Sequence, residues 1–428
     1  MRAVSFVDKI ELKFHGNLYK DAIALGDVDN DGHNELVVGN EEGTLAIFKG
    51  LNTKPWKVGT NFGMITSILV GDILNDGKNY VVCISGDGWC SIIDVENMPQ
   101  KKNGNEDVSK QKTYEELTPF HTQRIPANIK VAILADILGD GAFELVVGMT
   151  DRVVRSYRWR KVPDSSTNSK GKLVGLSKWE LAKQIGNISI GTDADGEKCL
   201  YIAQPGGTFV TLHCNKDPKN DSHLTPTPCY HALVSSRTRN VDVSSEVMGD
   251  VFIKKGSEDV KNRGVSCIAT LDGTFMLISP KDEILWSLQV DHQLFILNKM
   301  NVTTDDQDEI IICSWDGQTY IVNHELQVIR FQFDEAVCTF CAGYFCINPQ
   351  EDVPCLIYST FNDKICVYYN VRLPAINTFS LLDVMDQKED VQRLLSYLQV
   401  NPSNSNQLRQ LYQWCLYGYP SKPSHDNT

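Results

Sequence analysis

The stretch Ala24-Leu25-Gly26-Asp27-Val28-Asp29-Asn30-Asp31-Gly32-His33-Asn34-Glu35-Leu36-Val37-Val38-Gly39, followed by Gly43-Thr44-Leu45-Ala46-Ile47-Phe48, decides the fold, because the chain repeats it. A second copy runs Ile68-Leu69-Val70-Gly71-Asp72-Ile73-Leu74-Asn75-Asp76-Gly77, then Tyr80–Cys83 and Gly88–Ile93. A third runs Ala132–Ala135, Asp136-Ile137-Leu138-Gly139-Asp140-Gly141, then Glu144–Gly148 and Arg152–Tyr157. Fainter copies contain Ile188–Gly191 with Gly207–Leu212, Gly264–Ala269 with Gly273–Ile278, Asp308–Ser314 with Gly317–Val322, and Cys355–Ser359 with Asp363–Tyr369. Aligned on the second turn (Gly43, Gly88, Asp151, Gly207, Gly273, Gly317, Asp363), the copies step by 45, 63, 56, 66, 44 and 46 residues. Self-similarity at about 40–50 residues is the signature of a four-stranded propeller blade.

Short β-branched runs such as Leu36-Val37-Val38 lack clean alternation, as strands buried on both faces do. A blade hides its faces only against neighbouring blades, so the array must close into a ring. The sequence therefore predicts an all-β, seven-bladed β-propeller over residues 1–375. Residues 1–15, through Val4–Val7 and Ile10–Phe14, are expected to supply the outermost strand of the last blade. The long steps hold polar insertions at 97–119, 161–180, 214–230 and 250–263, which read as loops. Residues 376–428 break the repeat. Phe379, Leu382, Met385, Val391, Leu394, Leu395 and Leu398 recur at helical spacing, and Leu408, Leu411, Trp414 and Cys415 predict a second helix, before a tail from Gly418.

The composition is that of a soluble globular protein: 428 residues, 42% hydrophobic, 22% charged. A formal charge of −13 argues against nucleic acid or an anionic membrane as the main partner. No apolar run is long enough to span a bilayer, and the start lacks the apolar core of a signal peptide. Thirteen cysteines, several among apolar residues (Cys83, Cys199, Cys267, Cys313, Cys366), suit a reducing compartment. The run Cys338-x2-Cys341-x4-Cys346-x8-Cys355 has two readings, zinc ligands or core cysteines on strands, and its apolar neighbours favour the second.

The segment Ala24–Gly39 resembles the FG-GAP repeat of integrin α-subunits, whose copies form a β-propeller. The pattern in the first three copies is a strand, Asp-x-x-x-Asp-Gly, then a strand ending in Gly or Ser. The whole chain, C-terminal helices included, resembles the integrin-α FG-GAP repeat-containing proteins of animal cells. That resemblance implies a non-enzymatic scaffold in the KICSTOR assembly, with kaptin among the other subunits. It further implies a peripheral location at the lysosomal membrane, recruitment of the GATOR complex and restraint of TOR signalling when amino acids or glucose are scarce. A calcium-binding FG-GAP module that recognises a protein ligand is the alternative, and an enzyme using channel residues is the third class.

Asp27-x-Asp29-x-Asp31-Gly32-x-x-Glu35 offers oxygens at positions one, three, five and nine, with the His33 carbonyl at seven, and calcium takes six to eight oxygens. Asp27, Asp29, Asp31 and Glu35 are thus a candidate loop for a single calcium ion, and no other cofactor is expected. Copy two carries Leu74 and Tyr80 at ligand positions, copy three Leu138, and copy four Gly191 and Cys199, so those loops are expected to be empty. The competing reading is turn geometry alone, since Gly takes positive φ and Asp accepts hydrogen bonds from its own backbone. Catalytic signatures are missing: there is no Gly-x-Ser-x-Gly, no His-Glu-x-x-His and no P-loop. Leu394, Leu398, Leu411 and Trp414 are candidates for docking a protein partner, or else they pack on the chain's own surface.

Overall fold

The computed structural model describes residues 2–96, 115–161, 171–214, 228–231, 241–254, 261–262, 264–348, 351–374, 376, 388–401 and 404–418. Contacts divide the chain into two units, Met1–Ile376 and Asn377–Thr428. The first is an all-β propeller. Its sheets are antiparallel meanders read outward from an inner strand: Ile129–Ala135, Glu144–Met149, Val153–Lys161 and Gly171–Glu180 form one, and Ile188–Thr192, Lys198–Gln204, Thr208–Leu212 and Cys229–His231 the next. Ser245–Met248 begins a third with Ser266–Thr270, Thr274–Ile278 and Ile284–Gln289. Leu294–Met300, Glu309–Ser314, Gln318–Val322 and Val328–Gln332 make a fourth, extended by Arg2–Ala3 running parallel to Val328–Gln332. The segment from Leu18 to Arg124 forms one nine-stranded sheet. Within it, the inner strands Leu18–Gly26 and Ile65–Gly71 meet through a single parallel pair, Asp21 with Ser67.

The inner strands neighbour one another in cyclic order, and Val337–Asn348 returns to touch Leu18–Gly26. The ring is therefore closed. Its last sheet is Val337–Asn348, Glu351–Thr360, Lys364–Tyr368 and, outermost, Lys9–Lys13 from the opposite end of the sequence. Five pairs join them, from Lys9 with Tyr368 to Lys13 with Lys364.

Cores lie between neighbouring sheets rather than at one centre. Val37, Ile47, Ile68 and Val81 fill one interface. Leu12, Phe14, Leu36, Phe48, Phe345 and Ile357 fill the interface where the ends of the ring meet. This is why the strands are apolar on both faces: each face meets a different sheet.

Two expectations are corrected. Residues 171–180 are not loop. They pair with Val153–Lys161 along the whole strand, because Leu173 and Trp179 are buried and Gly171 lies against the Trp159 ring. In the third copy the second turn is carried by Arg152 (φ 69°), one residue after the alignment anchor Asp151, and its N–H donates to Met149. Most of the remaining insertions lie outside the described residues, although Leu117 is buried and Ile253–Lys254 pairs with Lys261–Asn262.

Glycine at the second turn is a steric requirement. Gly273 has φ 91°, and a Cβ there would lie 2.1 Å from the Val290 carbonyl oxygen. Both the left-handed backbone and that collision oppose any side chain. Gly273→Ala is expected to cost more than the ~1–3 kcal/mol of a strained backbone position alone, read as a lowered thermal midpoint. A midpoint equal to that of the parent would show the turn to be adaptable.

The second unit contains helices Glu389–Tyr397 and Ser405–Tyr417. Asn404 caps the latter, its side-chain oxygen accepting from the N–H groups of Asn406 and Gln407, and Gly418 (φ 77°) ends it. Phe379, Leu382 and Met385, and the tail beyond Gly418, lie outside the described residues. No helix among the described residues is long and apolar enough to cross a membrane.

Candidate functional site

The Asp-Gly loops follow the inner strands and repeat one arrangement. Asp27 accepts from the N–H groups of Asp31 and Gly32, both at 3.0 Å. Asp72 accepts likewise from Asp76 and Gly77, and Asp136 from Asp140 and Gly141. The first aspartate of each loop thus holds its own turn, and Gly32, at φ 89°, supplies the left-handed residue. The fourth copy departs from this: Asp193, not Gly191, organises a shorter turn, accepting from Asp195 and Glu197. Neighbouring loops are tied together, since the side-chain oxygen of Asn30 accepts from Asn79 N–H (2.8 Å) and that of Asn75 from Phe143 N–H (2.6 Å).

The structure brings the proposed calcium ligands together, but around an ammonium group. Lys49 Nζ stands 2.6 Å from Asp29 Oδ2, 2.6 Å from Asp31 Oδ2 and 3.0 Å from Glu35 Oε1. Leu36 pairs with Phe48 in the ladder, so Lys49 is set directly across from Glu35 on the adjoining strand. Glu35 is fully buried, and its other oxygen accepts from Val28 N–H at 3.1 Å. Burial pushes its carboxyl up to about 7, against the opposing pull of Lys49. Burial also opposes the charge on Lys49, but its three carboxylate partners outweigh that and raise its pKa. Asp31, where burial acts upward, is held low overall by Lys49 and the His33 N–H.

The third copy repeats the device with arginine. Arg158 bridges Asp140, at 2.8 Å through each of two guanidinium nitrogens, and the buried Glu144 through Nε at 2.6 Å. The second copy has Tyr80 across from Asp94, and Tyr80 donates to Asp76 at 2.9 Å. The sequence reading missed Lys49 and Arg158. Their signal was a cation eighteen positions after the second Asp of Asp-x-x-x-Asp-Gly, visible once the ladder register is known.

A second grouping also went unread. His33, Cys346 and Asp352 bring ligand atoms within 4.8 Å of one another where the first loop meets the last sheet. Cys338, Cys341 and Cys355 do not join them. Cys338 and Cys355 are buried on strands, with their Sγ atoms against backbone carbonyls. All thirteen cysteines are free.

The central channel, a cavity of about 430 Å³, is lined by the inner strands of the ring, including both inner strands of the nine-stranded sheet. Its charges are Lys20, Asp21 and Glu246, with Lys130 close by. Lys20 Nζ lies 2.5 Å from Glu246, and Lys130 donates to the Ile185 carbonyl at 2.7 Å. Enclosure pushes the carboxyls of Asp21 and Glu246 up against the pull of the lysines. Glu246 thus faces the Lys20 ammonium at ion-pair distance, and the charges of Lys20 and Lys130 act on Asp21.

On the helical unit, Leu394, Trp414, Leu416 and Tyr417 are exposed and Leu398 nearly as much, whereas Leu411 is half-buried and Leu395 buried. Tyr397 is 85% exposed and Tyr417 83%.

A family model described as integrin-alpha FG-GAP repeat-containing protein 2 matches residues 49–373. A mouse protein named KICSTOR complex protein ITFG2 is 40% identical over 440 aligned residues, covering 99% of this chain and 97% of the mouse protein. A bovine protein of the same name is 40% identical over 398, covering 90% of this chain and 74% of the bovine one. Among solved structures, the BBS1N chain of a complex with ARL6DN superposes with a TM-score of 0.58 at 13% identity, covering 88% of this chain and all of BBS1N. Chaetomium thermophilum Raptor gives 0.53 at 10%, covering 85% of this chain and 29% of Raptor. Such identities speak for fold alone. The near-complete match to the mouse protein and the family model over the repeats agree, and the chain belongs to the integrin-alpha FG-GAP repeat-containing protein 2 family.

Proposed function

We propose that this chain is a non-enzymatic scaffold subunit of the KICSTOR complex. In this reading it sits peripherally at the lysosomal membrane, contacts kaptin and other subunits, and through them helps recruit the GATOR complex and restrain TOR signalling under amino acid or glucose deprivation. One observation carries the reading: near-full-length identity of 40% with a mouse protein whose name states KICSTOR membership. The self-neutralising channel charges favour a scaffold over an enzyme. We also propose that the ring counts seven blades over residues 1–375, with the nine-stranded sheet being two blades joined at one pair, that the N-terminal strand closes it, and that 376–428 form a separate appendage.

Leu394, Leu398, Leu411 and Trp414, with the adjacent tyrosines, are the docking surface of that appendage. Aromatic anchors of this kind concentrate binding energy, at ~2 kcal/mol or more each. The test is purification of the tagged protein from cells, with mass spectrometry of the recovered partners, in calcium and in chelator. Stoichiometric KICSTOR subunits in both conditions are expected. A protein recovered alone sinks the scaffold reading, and partners lost only in chelator favour the calcium-dependent module. Leu394→Ala with Trp414→Ala is expected to reduce partner recovery at least tenfold while leaving the propeller's thermal midpoint in place. Undiminished recovery would remove these helices from the interface.

A further inference from the structure

We infer that the Lys49 ammonium is a built-in replacement for the calcium ion of the Asp-Gly loop, so that the native chain binds no metal there, and that Lys49 alone keeps calcium out. The argument begins with the ligand set. The loop has the oxygens that calcium uses, yet Asp29 Oδ2, Asp31 Oδ2 and Glu35 Oε1, which a cation would bridge, are bridged by Nζ of Lys49 at 2.6, 2.6 and 3.0 Å. Each oxygen of Asp27 accepts one backbone N–H, and Asp27 still brings a carboxylate oxygen within 4.8 Å of those of Asp29 and Glu35, so the acids a divalent ion would need are gathered and the ammonium stands among them. A divalent ion and the ammonium cannot share this position, because like charges so close, in a partly desolvated site, repel strongly.

The copies supply an independent comparison. Where the buried acid is kept, at Glu144, the residue opposite is again a cation, Arg158. Where the acid is replaced by Tyr80, the opposite residue is Asp94 and no cation is placed there. The sixth copy keeps the buried acid, Glu309, with Asn323 opposite and the Thr303 hydroxyl donating to it at 2.8 Å, so a cation accompanies the acid in copies one and three, where the Asp-Gly loop stands beside it, and not in copy six. In copies one and three a tethered cation neutralises the loop whatever the calcium concentration.

The loop also retains unmet demand. Asp29 Oδ1 is buried and has no hydrogen-bond partner among the described residues. Removing the ammonium would leave Asp29, Asp31 and Glu35 converging on an empty point, which is the charge density that recruits calcium.

The full-length protein is tested with calcium and with terbium as a luminescent probe. Trp56, whose ring centre lies 5.2 Å from Lys49 Nζ, is placed to sensitise the terbium emission. The native chain is expected to show no saturable terbium emission from the loop and no calcium-dependent change in thermal midpoint. Lys49→Met is expected to show both, with a dissociation constant at or below about 1 mM, and Asp31→Asn added to it should abolish both. Saturable binding by the native chain that Asp31→Asn removes would overturn the inference. So would a folded Lys49→Met indifferent to calcium and terbium. If Lys49→Met folds only when calcium is supplied, that dependence is itself the expected result. If it folds under neither condition, Lys49→Gln is the variant measured, and the native-chain experiment decides the first half of the inference without any variant.

Discussion

Removal of residues 1–15 is expected to abolish the native propeller. The strand Lys9–Lys13 contributes five backbone pairs to Lys364–Tyr368 and is the outermost strand of the last sheet. With it go Leu12 and Phe14, both buried in the cluster that seals the first sheet against the last, and the contacts of Val4 and Phe6 with the neighbouring cluster, including Phe6 against Phe331 at 5.0 Å. Each large apolar side chain fully buried stabilises by ~1.5–3 kcal/mol. Loss of these side chains therefore approaches the whole stability of a typical folded protein, about 5–15 kcal/mol, before the exposed edge of Lys364–Tyr368 is considered. The truncated chain should appear in the insoluble fraction or melt without a cooperative transition. Deleting only residues 1–7 removes the short Arg2–Ala3 strand and Phe6 but leaves Leu12 and Phe14, so its effect should be clearly smaller. A truncation at 15 that melts within a degree or two of the full chain would show that ring closure does not depend on this strand.

Arg158→Ala is expected to be the most destabilising single change at the loops, by about 3–5 kcal/mol, the cost of stranding a buried charge. Arg158 is the cation for Glu144, which is fully buried, and for the exposed Asp140. In the native chain burial already pushes the Glu144 carboxyl above its ordinary value, with Arg158 and the Ile137 N–H pulling down. Without the guanidinium the upward push is less opposed. A carboxyl whose pKa is higher folded than unfolded stabilises the fold below its unfolded pKa, about 4.3, and that contribution is lost as pH rises through the folded value. The deficit of Arg158→Ala should therefore be smallest at acid pH and grow toward neutrality. Adding Glu144→Gln, which removes the charge and keeps an acceptor for Ile137, should restore much of the lost stability. Thermal denaturation across pH 5–8 is the measurement. A deficit that is flat with pH and not rescued by Glu144→Gln would mean that Arg158 acts through the packing of its alkyl chain alone.

The sequence carried the propeller because its decisive signal is local. Asp-x-x-x-Asp-Gly, the apolar run after it and the following Gly turn are each set by backbone geometry within about ten residues, and they recur. The strand at Gly171–Glu180 was hidden because it sits beside a polar segment. Only Trp159 and its cross-strand partners show that Leu173 and Trp179 are enclosed. The candidate calcium loop was legible as a set of acids but not as a site. Asp27 holds its own turn while staying near Asp29 and Glu35, and Asp29, Asp31 and Glu35 converge on a residue fourteen positions beyond Glu35.

What the sequence by itself determined is the repeat, the buried strands and the acids that end them, since these depend on neighbours along the chain. What only the tertiary structure decided is which charges meet. The ladder sets Leu36 against Phe48 and Leu145 against Tyr157, and that register, one strand against the next, delivers Lys49 to Glu35 and Arg158 to Glu144. Ring closure is of the same kind. Lys9–Lys13 and Lys364–Tyr368 stand at opposite ends of the sequence, and only the cyclic packing of sheets whose middle strands are apolar on both faces brings them together.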